Sequence, residues 1–169
     1  MRRVAAIASV AGLLLLGVTY VVGHPHINKV LTATLPGDVT AVLTYNTTPA
    51  NEMNAEKVAV GDFVSPRNPR LKLSGELKSG SVVIPAGEYL VGVVKNGEKD
   101  WTMALYPGML KRGEKADPAK LIKLDSMFSS AMGTAPHMLI DISPGAGKFE
   151  GRVVMTIHFG SLFLAGALT

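Results

Sequence analysis

Apolar and polar residues alternate with a period of two along much of the chain from residue 27 onward, and Gly- or Pro-containing turns interrupt the pattern. In the segment DVTAVLTY (38–45), Val39, Ala41, Leu43 and Tyr45 occupy every second position. Since successive side chains of a β-strand point to opposite faces, this segment has one apolar face. Short strands separated by turns about every 8–12 residues are typical of sandwiches and barrels. The sequence therefore predicts an all-β fold, an antiparallel β-sandwich of jelly-roll-like type.

The segment 82–108 contains the clearest hairpin. It reads as a strand, a Pro-Ala-Gly turn, a second strand, a Lys-Asn-Gly-Glu-Lys-Asp turn and a third strand. Asn96–Gly97 predicts a tight turn, because both residues tolerate a positive φ. The alternation assigns these residues to the core: Tyr89, Val91, Trp101, Met103 and Leu105.

Other segments extend the pattern. LKLSGEL (71–77) directs its three leucines inward, and the segments 137–143, 151–160 and LFLAGAL are further predicted strands. Residues 118–131 are ambiguous. Asp117–Pro118 is a typical helix start, whereas LIKLDS fits a strand, and the pattern slightly favours the strand.

The N-terminus has the pattern of a targeting segment. Met1–Arg3 carry positive charge, and Val4–Val22 contain no charged residue. This arrangement is typical of a secretory signal, with cleavage after Gly23, but the apolar run is also long enough to span a bilayer as an uncleaved anchor. Both alternatives leave one domain, residues 24–169, in a periplasmic or secreted location, with membrane attachment through residues 4–22 in the second case.

Composition removes several classes of function. The chain has no cysteine, which excludes disulfides, thiolate metal sites and cysteine nucleophiles. It carries 17 Lys and Arg against 13 Asp and Glu. Because Arg2 and Arg3 belong to the leader, 15 basic residues remain against 13 acidic ones, a net of +2. The charges are scattered and no nucleic-acid-binding module is present, so we expect no nucleic-acid partner.

A longer stretch resembles a known family. Residues 71–108 contain the PAGEY turn followed by a tryptophan–threonine pair; the corresponding residues are Pro85, Ala86, Gly87, Tyr89, Trp101 and Thr102. This arrangement is similar to the central signature of the bacterial exported family labelled domain of unknown function 2911. The family's usual tryptophan–arginine–threonine–glycine–alanine–asparagine segment has no clear counterpart here. The resemblance implies a compact exported β domain and no established activity.

The sequence HPH at residues 24–26 raises the possibility of a metal site. After cleavage at Gly23, the α-amine and ring of His24 could chelate copper, with His26 beside them, and His158 or His137 could complete a histidine brace. A site that uses the backbone amide between His24 and His26 is excluded, because Pro25 has no N–H to lose. The alternative is that His24 and His26 are two exposed residues at the junction between leader and domain.

These observations lead to one functional hypothesis and two rivals. The main hypothesis is an exported binding or structural module without catalytic residues or a cofactor. The first rival is a copper-binding protein that uses the histidines named above. The second is an enzyme acting on an envelope carbohydrate or lipid, which a cleft lined with paired carboxylates would support.

Overall fold

Two antiparallel sheets face each other in the computed structural model, which describes residues 26–111 and 113–169. This arrangement confirms the predicted all-β sandwich. The leader (residues 1–23) and His24 lie outside the described residues. Within the described ranges, no helix has the length and apolar character needed to cross a membrane.

The described residues form a series of strands and one short α-helix. They are β1 (Asn28–Leu35), β2 (Val39–Asn46), α1 (Glu52–Glu56), β3 (Phe63–Val64), β4 (Arg70–Leu73), β5 (Leu77–Ser79), β6 (Val82–Ile84), β7 (Gly87–Gly97), β8 (Asp100–Pro107), β9 (Ile122–Lys123), β10 (Ser126–Ser129), β11 (Ala135–Pro144), β12 (Val153–Gly160) and β13 (Leu162–Leu168). Short 3₁₀ turns lie at Pro36–Asp38, Pro118–Lys120 and Gly147–Phe149.

The described strands form two main sheets and one separate hairpin. The larger sheet has the order β1-β2-β4-β7-β8-β9, and β3 pairs with the same edge of β7 as β4 does. The smaller sheet has the order β10-β13-β12-β11, which is a Greek-key arrangement. The hairpin β5–β6 contacts the end of β13 through Lys78, whose backbone N and O bond Thr169 at 2.7 and 2.9 Å. One end of the sandwich is therefore closed by this hairpin.

The inward faces of the two sheets form one core. Val39, Ala41, Leu43 and Tyr45 are all buried on β2, as the alternation predicts. The predicted core residues of β7 and β8 are confirmed, since none of them is more than 5% exposed: Tyr89, Val91, Trp101, Met103 and Leu105. Burial also raises the pKa of the Tyr89 hydroxyl, which donates to the carbonyl oxygen of Pro85 (2.6 Å) and so closes the PAGEY turn.

The larger sheet is buried on part of its second face as well. Leu90 and Val94 of β7 and Ala104 and Tyr106 of β8 are buried although they alternate with the core residues. The ring of Phe63 lies 6.2 Å from that of Tyr106. Phe63, in the chain before β4, therefore covers part of the second face of the larger sheet, for which the alternation predicted no burial.

The predicted tight turn at Asn96–Gly97 is wrong in position. β7 continues to Gly97, a register shift lies between Lys95 and Gly97, and the turn residues are Glu98 and Lys99. The side chain of Asn96 donates to Thr102 Oγ1 (2.6 Å) across the hairpin, which places Asn96 inside the paired strands. The hairpin itself is confirmed.

The structure also decides the predictions for two other segments. The inward leucines of residues 71–77 are confirmed, but a bend at 74–76 divides them between β4 and β5. In the ambiguous segment 118–131, Asp117 caps only the 3₁₀ turn, by accepting from Ala119 N (3.0 Å), and the chain then continues as β9 and β10. The strand interpretation is confirmed there.

Candidate ligand cavity

One side of the sandwich is closed where the chain leaves β2. Met138 N donates to Thr48 O (2.8 Å) and Ala50 N donates to Pro136 O (2.9 Å), so residues 48–50 pair with the start of β11. The following segment carries α1 across the end of the sandwich where β12 turns into β13. This end lies opposite the β5–β6 hairpin.

Helix α1 has only five residues and depends on tertiary contacts, because an isolated helix of this length is unstable in water. Asn51 caps its N-terminus by accepting from Asn54 N (3.3 Å). Glu52 anchors it to the smaller sheet: its two carboxylate oxygens accept from Ser161 N (2.6 Å) and Ser161 Oγ (2.8 Å). Gly160, at φ +63°, leaves the space that the carboxylate occupies.

Lys95 anchors the other end of α1 to the larger sheet. Its Nζ atom donates to the carbonyl oxygens of Glu56 (2.7 Å) and Val58 (2.9 Å). The same atom lies 5.6 Å from the centroid of the Trp101 ring, and the residue is only 6% exposed. Lys95 and Glu52 together hold residues 51–58 as a roof over the sandwich.

Beneath this roof lies a cavity of about 280 Å³, here called the roofed cavity. Its walls come from both sheets and include Val64, Val91, Val93, Met138, Ile140, Ile157 and Leu164. Ala55 and Val58 line it from the roof, and Trp101 lines it from β8. Its few polar neighbours are Thr48, Asn51 and Asn54.

The bulge before β4 forms one wall of the roofed cavity. Residues 65–69 leave the edge of β7, and two of them replace a paired strand there: Val91 N donates to Pro69 O (2.8 Å), and Ser65 Oγ donates to Val91 O (2.8 Å). Pro66 and Pro69, which lack an N–H, also line the cavity. The backbone N–H and C=O groups of Val91 at the edge of β7 therefore have hydrogen-bond partners, while the space beside them stays open.

A second space, the open cleft, adjoins the roofed cavity and measures about 520 Å³. The two spaces share three lining residues: Ala55, Trp101 and Leu162. Charged side chains line the open cleft and not the roofed cavity: Glu52, Glu56, Lys95, Glu98 and Lys99. An apolar space and a charged space thus meet at Trp101.

The histidines proposed as metal ligands occupy separate places. His26 is exposed, with Nδ1 3.1 Å from Thr47 O, and His137 belongs to β11 opposite Pro49. His158 lies on the outer face of β12, and its ring contacts Phe163 edge to face with centroids 5.4 Å apart. Among residues 26–111 and 113–169, no three His, Cys, Asp or Glu residues are grouped to hold a metal. His24 lies outside the described residues.

A copper titration tests the histidine brace directly. We expect weak Cu(II) binding without fixed stoichiometry, because none of the described histidines lies in a group of three ligands. One residue added ahead of His24 removes the amine chelate. Weak binding that does not use this chelate should survive the extension unchanged. A tight single site that is lost on extension, and that weakens on acidification as imidazole ligands protonate, would establish the brace instead.

Comparison of the chain with protein-family models, curated proteins and solved structures finds no match. The resemblance of the PAGEY and tryptophan–threonine segments to domain of unknown function 2911 therefore stays a prediction.

Proposed function

We propose that this chain is an exported β-sandwich protein that binds a small apolar molecule in the roofed cavity and is not an enzyme. The apolar cavity between the sheets carries the proposal. Ligand sites are typically concave and mainly apolar, with a few polar groups that orient the ligand. Thr48, Asn51 and Asn54 can supply such groups here.

The size of the roofed cavity limits the ligand. An apolar protein cavity of about 150 Å³ holds one benzene molecule, with its six carbons. By the same ratio, about 280 Å³ accommodates about eleven carbons, the size of a medium-length alkyl chain or two fused rings. The uncharged run Val4–Val22 supports export, whether it is cleaved or kept as an anchor.

The enzyme hypothesis has less support from the open cleft, although three carboxylates line it. Both oxygens of Glu52 already accept hydrogen bonds from Ser161. Glu56 and Glu98 are exposed, so no second carboxylate is held at a fixed distance from Glu52. Glycoside hydrolysis requires two carboxylates held at a defined separation.

Binding of 1-octanol to the purified full-length chain tests the proposal. Trp101 is the only tryptophan and lines the roofed cavity, so its fluorescence reports occupancy. We expect a saturable change in emission. Val93→Phe should weaken octanol binding by about tenfold or more, because the added ring fills part of the space that octanol would occupy in the roofed cavity.

Val83→Phe is the matched control, because this substitution adds the same volume at a site on β6 that is 45% exposed. We expect its affinity for octanol to equal that of the unmodified chain. Saturable binding that Val93→Phe leaves intact would place the ligand elsewhere and contradict the proposal.

A further inference from the structure

Among the described residues, Lys95 carries a buried charge without a counter-ion. It continues the inward row Tyr89, Val91 and Val93 of β7, and it is only 6% exposed. The ion pairs among the described residues join Lys72 to Glu88 and Lys115 to Asp62, and neither involves Lys95. A buried charge is costly unless an opposite charge and hydrogen bonds compensate it.

The ammonium of Lys95 also has unused hydrogen-bonding capacity. An ammonium group carries three N–H donors. Two of them are accepted by Glu56 O and Val58 O, and no third acceptor is found in the part of the chain that the structure describes. Lys95 lines the open cleft, so the remaining donor can be reached from there.

The position of Lys95 links this charge to the apolar site. Trp101, whose ring lies 5.6 Å from Nζ, lines both the roofed cavity and the open cleft. A molecule whose apolar part fills the roofed cavity can therefore extend a polar end past Trp101 to Lys95. Such a molecule is an amphiphile.

We infer that the ligand is a medium-chain monocarboxylate, whose carboxylate pairs with Lys95 while its alkyl part occupies the roofed cavity. This inference rests on the proposed function, since it identifies the class of ligand for the same site. The carboxylate supplies the missing counter-charge and accepts the third N–H. A charge-assisted hydrogen bond of this kind is among the stronger polar contacts in proteins.

The acidic residues of the open cleft restrict the charge of the ligand. Glu56 and Glu98 are exposed, so their repulsion of an anion is screened by solvent and salt. Both carboxylate oxygens of Glu52 accept hydrogen bonds from Ser161. Their combined charge still disfavours a second negative charge on the ligand, which is why a monocarboxylate fits better than a phosphate or a dicarboxylate.

The test compares octanoate, 1-octanol and octylammonium, which share one alkyl chain, by Trp101 fluorescence of the full-length chain. We expect octanoate to bind about tenfold or more tightly than octanol, and octylammonium to bind weakest. Lys95→Met keeps most of the side-chain volume but removes the charge and both hydrogen bonds to the roof, so it can weaken both ligands. Its expected effect is on the ratio of the two affinities: the preference for octanoate over octanol should fall about tenfold. Lys99→Met removes an exposed lysine of the same cleft and should change neither affinity by more than about twofold.

The outcomes separate the two proposals. Octanol binding without a preference for octanoate overturns the inference and leaves the proposed function standing, as does a preference for octylammonium. No saturable binding of any of the three contradicts both. Because the order of affinities is measured in the unmodified chain, the inference stays testable even when Lys95→Met fails to fold.

Discussion

Replacement of Trp101 by alanine is expected to unfold the domain or make it insoluble. Trp101 is 5% exposed, lies in the central hairpin of the larger sheet and separates the roofed cavity from the open cleft. Loss of a buried tryptophan side chain costs about 3–5 kcal/mol, and the value rises with the volume of the cavity that remains. Joining two existing spaces leaves a large cavity, so we expect the upper part of that range. The total stability of a domain is only about 5–15 kcal/mol.

Chemical denaturation followed by circular dichroism measures this loss, since the variant has no tryptophan to report by fluorescence. Trp101→Phe is the control. It keeps an aromatic ring between the two spaces and should lose clearly less stability than Trp101→Ala. A soluble Trp101→Ala variant with an unchanged melting temperature would show that this face of β8 contributes to binding and not to the core.

The main elements of the fold could be predicted because burial of one strand face leaves a direct trace in the sequence. Val39, Ala41, Leu43 and Tyr45 show this trace, and all four are buried. The second covered face of the larger sheet left a weaker trace: Leu90 and Val94 make β7 nearly continuous in apolar residues, which is consistent with a strand buried on both faces. Such a run does not state which segment covers it. Phe63 supplies part of this cover. Its ring lies near that of Tyr106, and the two residues are 43 positions apart in sequence, so no local pattern predicts the contact.

The candidate site could not be predicted, because its key contacts join residues that are distant in sequence. Glu52 bonds Ser161 across 109 positions, and no local pattern marks either residue. Lys95 did leave a signal, since period two continues through Tyr89, Val91 and Val93 to this position. The Asn96–Gly97 pair obscured it by predicting a turn two residues early. The histidines were predicted as metal ligands because of their chemistry, but the described ones lie in separate environments.

Replacement of Gly92 by alanine is expected to destabilise the domain by about 1–3 kcal/mol, as overpacking typically does. A Cβ at Gly92 would overlap the backbone oxygen of Val64 and lie 2.6 Å from the ring of Phe63. The backbone of β3 cannot turn away as a side chain would. It must move off the edge of β7, where Phe63 pairs with Val94 and Val64 with Val93.

Gly97→Ala in the same strand separates this steric effect from the general effect of alanine. A Cβ at Gly97 meets only the Cβ of Asp100, at 3.9 Å, which is an ordinary contact. Because alanine restricts the unfolded chain, Gly97→Ala should be neutral or stabilising by up to about 1 kcal/mol. Denaturant unfolding of both variants gives the difference, and hydrogen exchange should show lost protection at Val93 and Val94 in Gly92→Ala only. Equal losses in the two variants would mean that β3 is not held against Gly92, and the wall that Val64 contributes to the roofed cavity would then be movable.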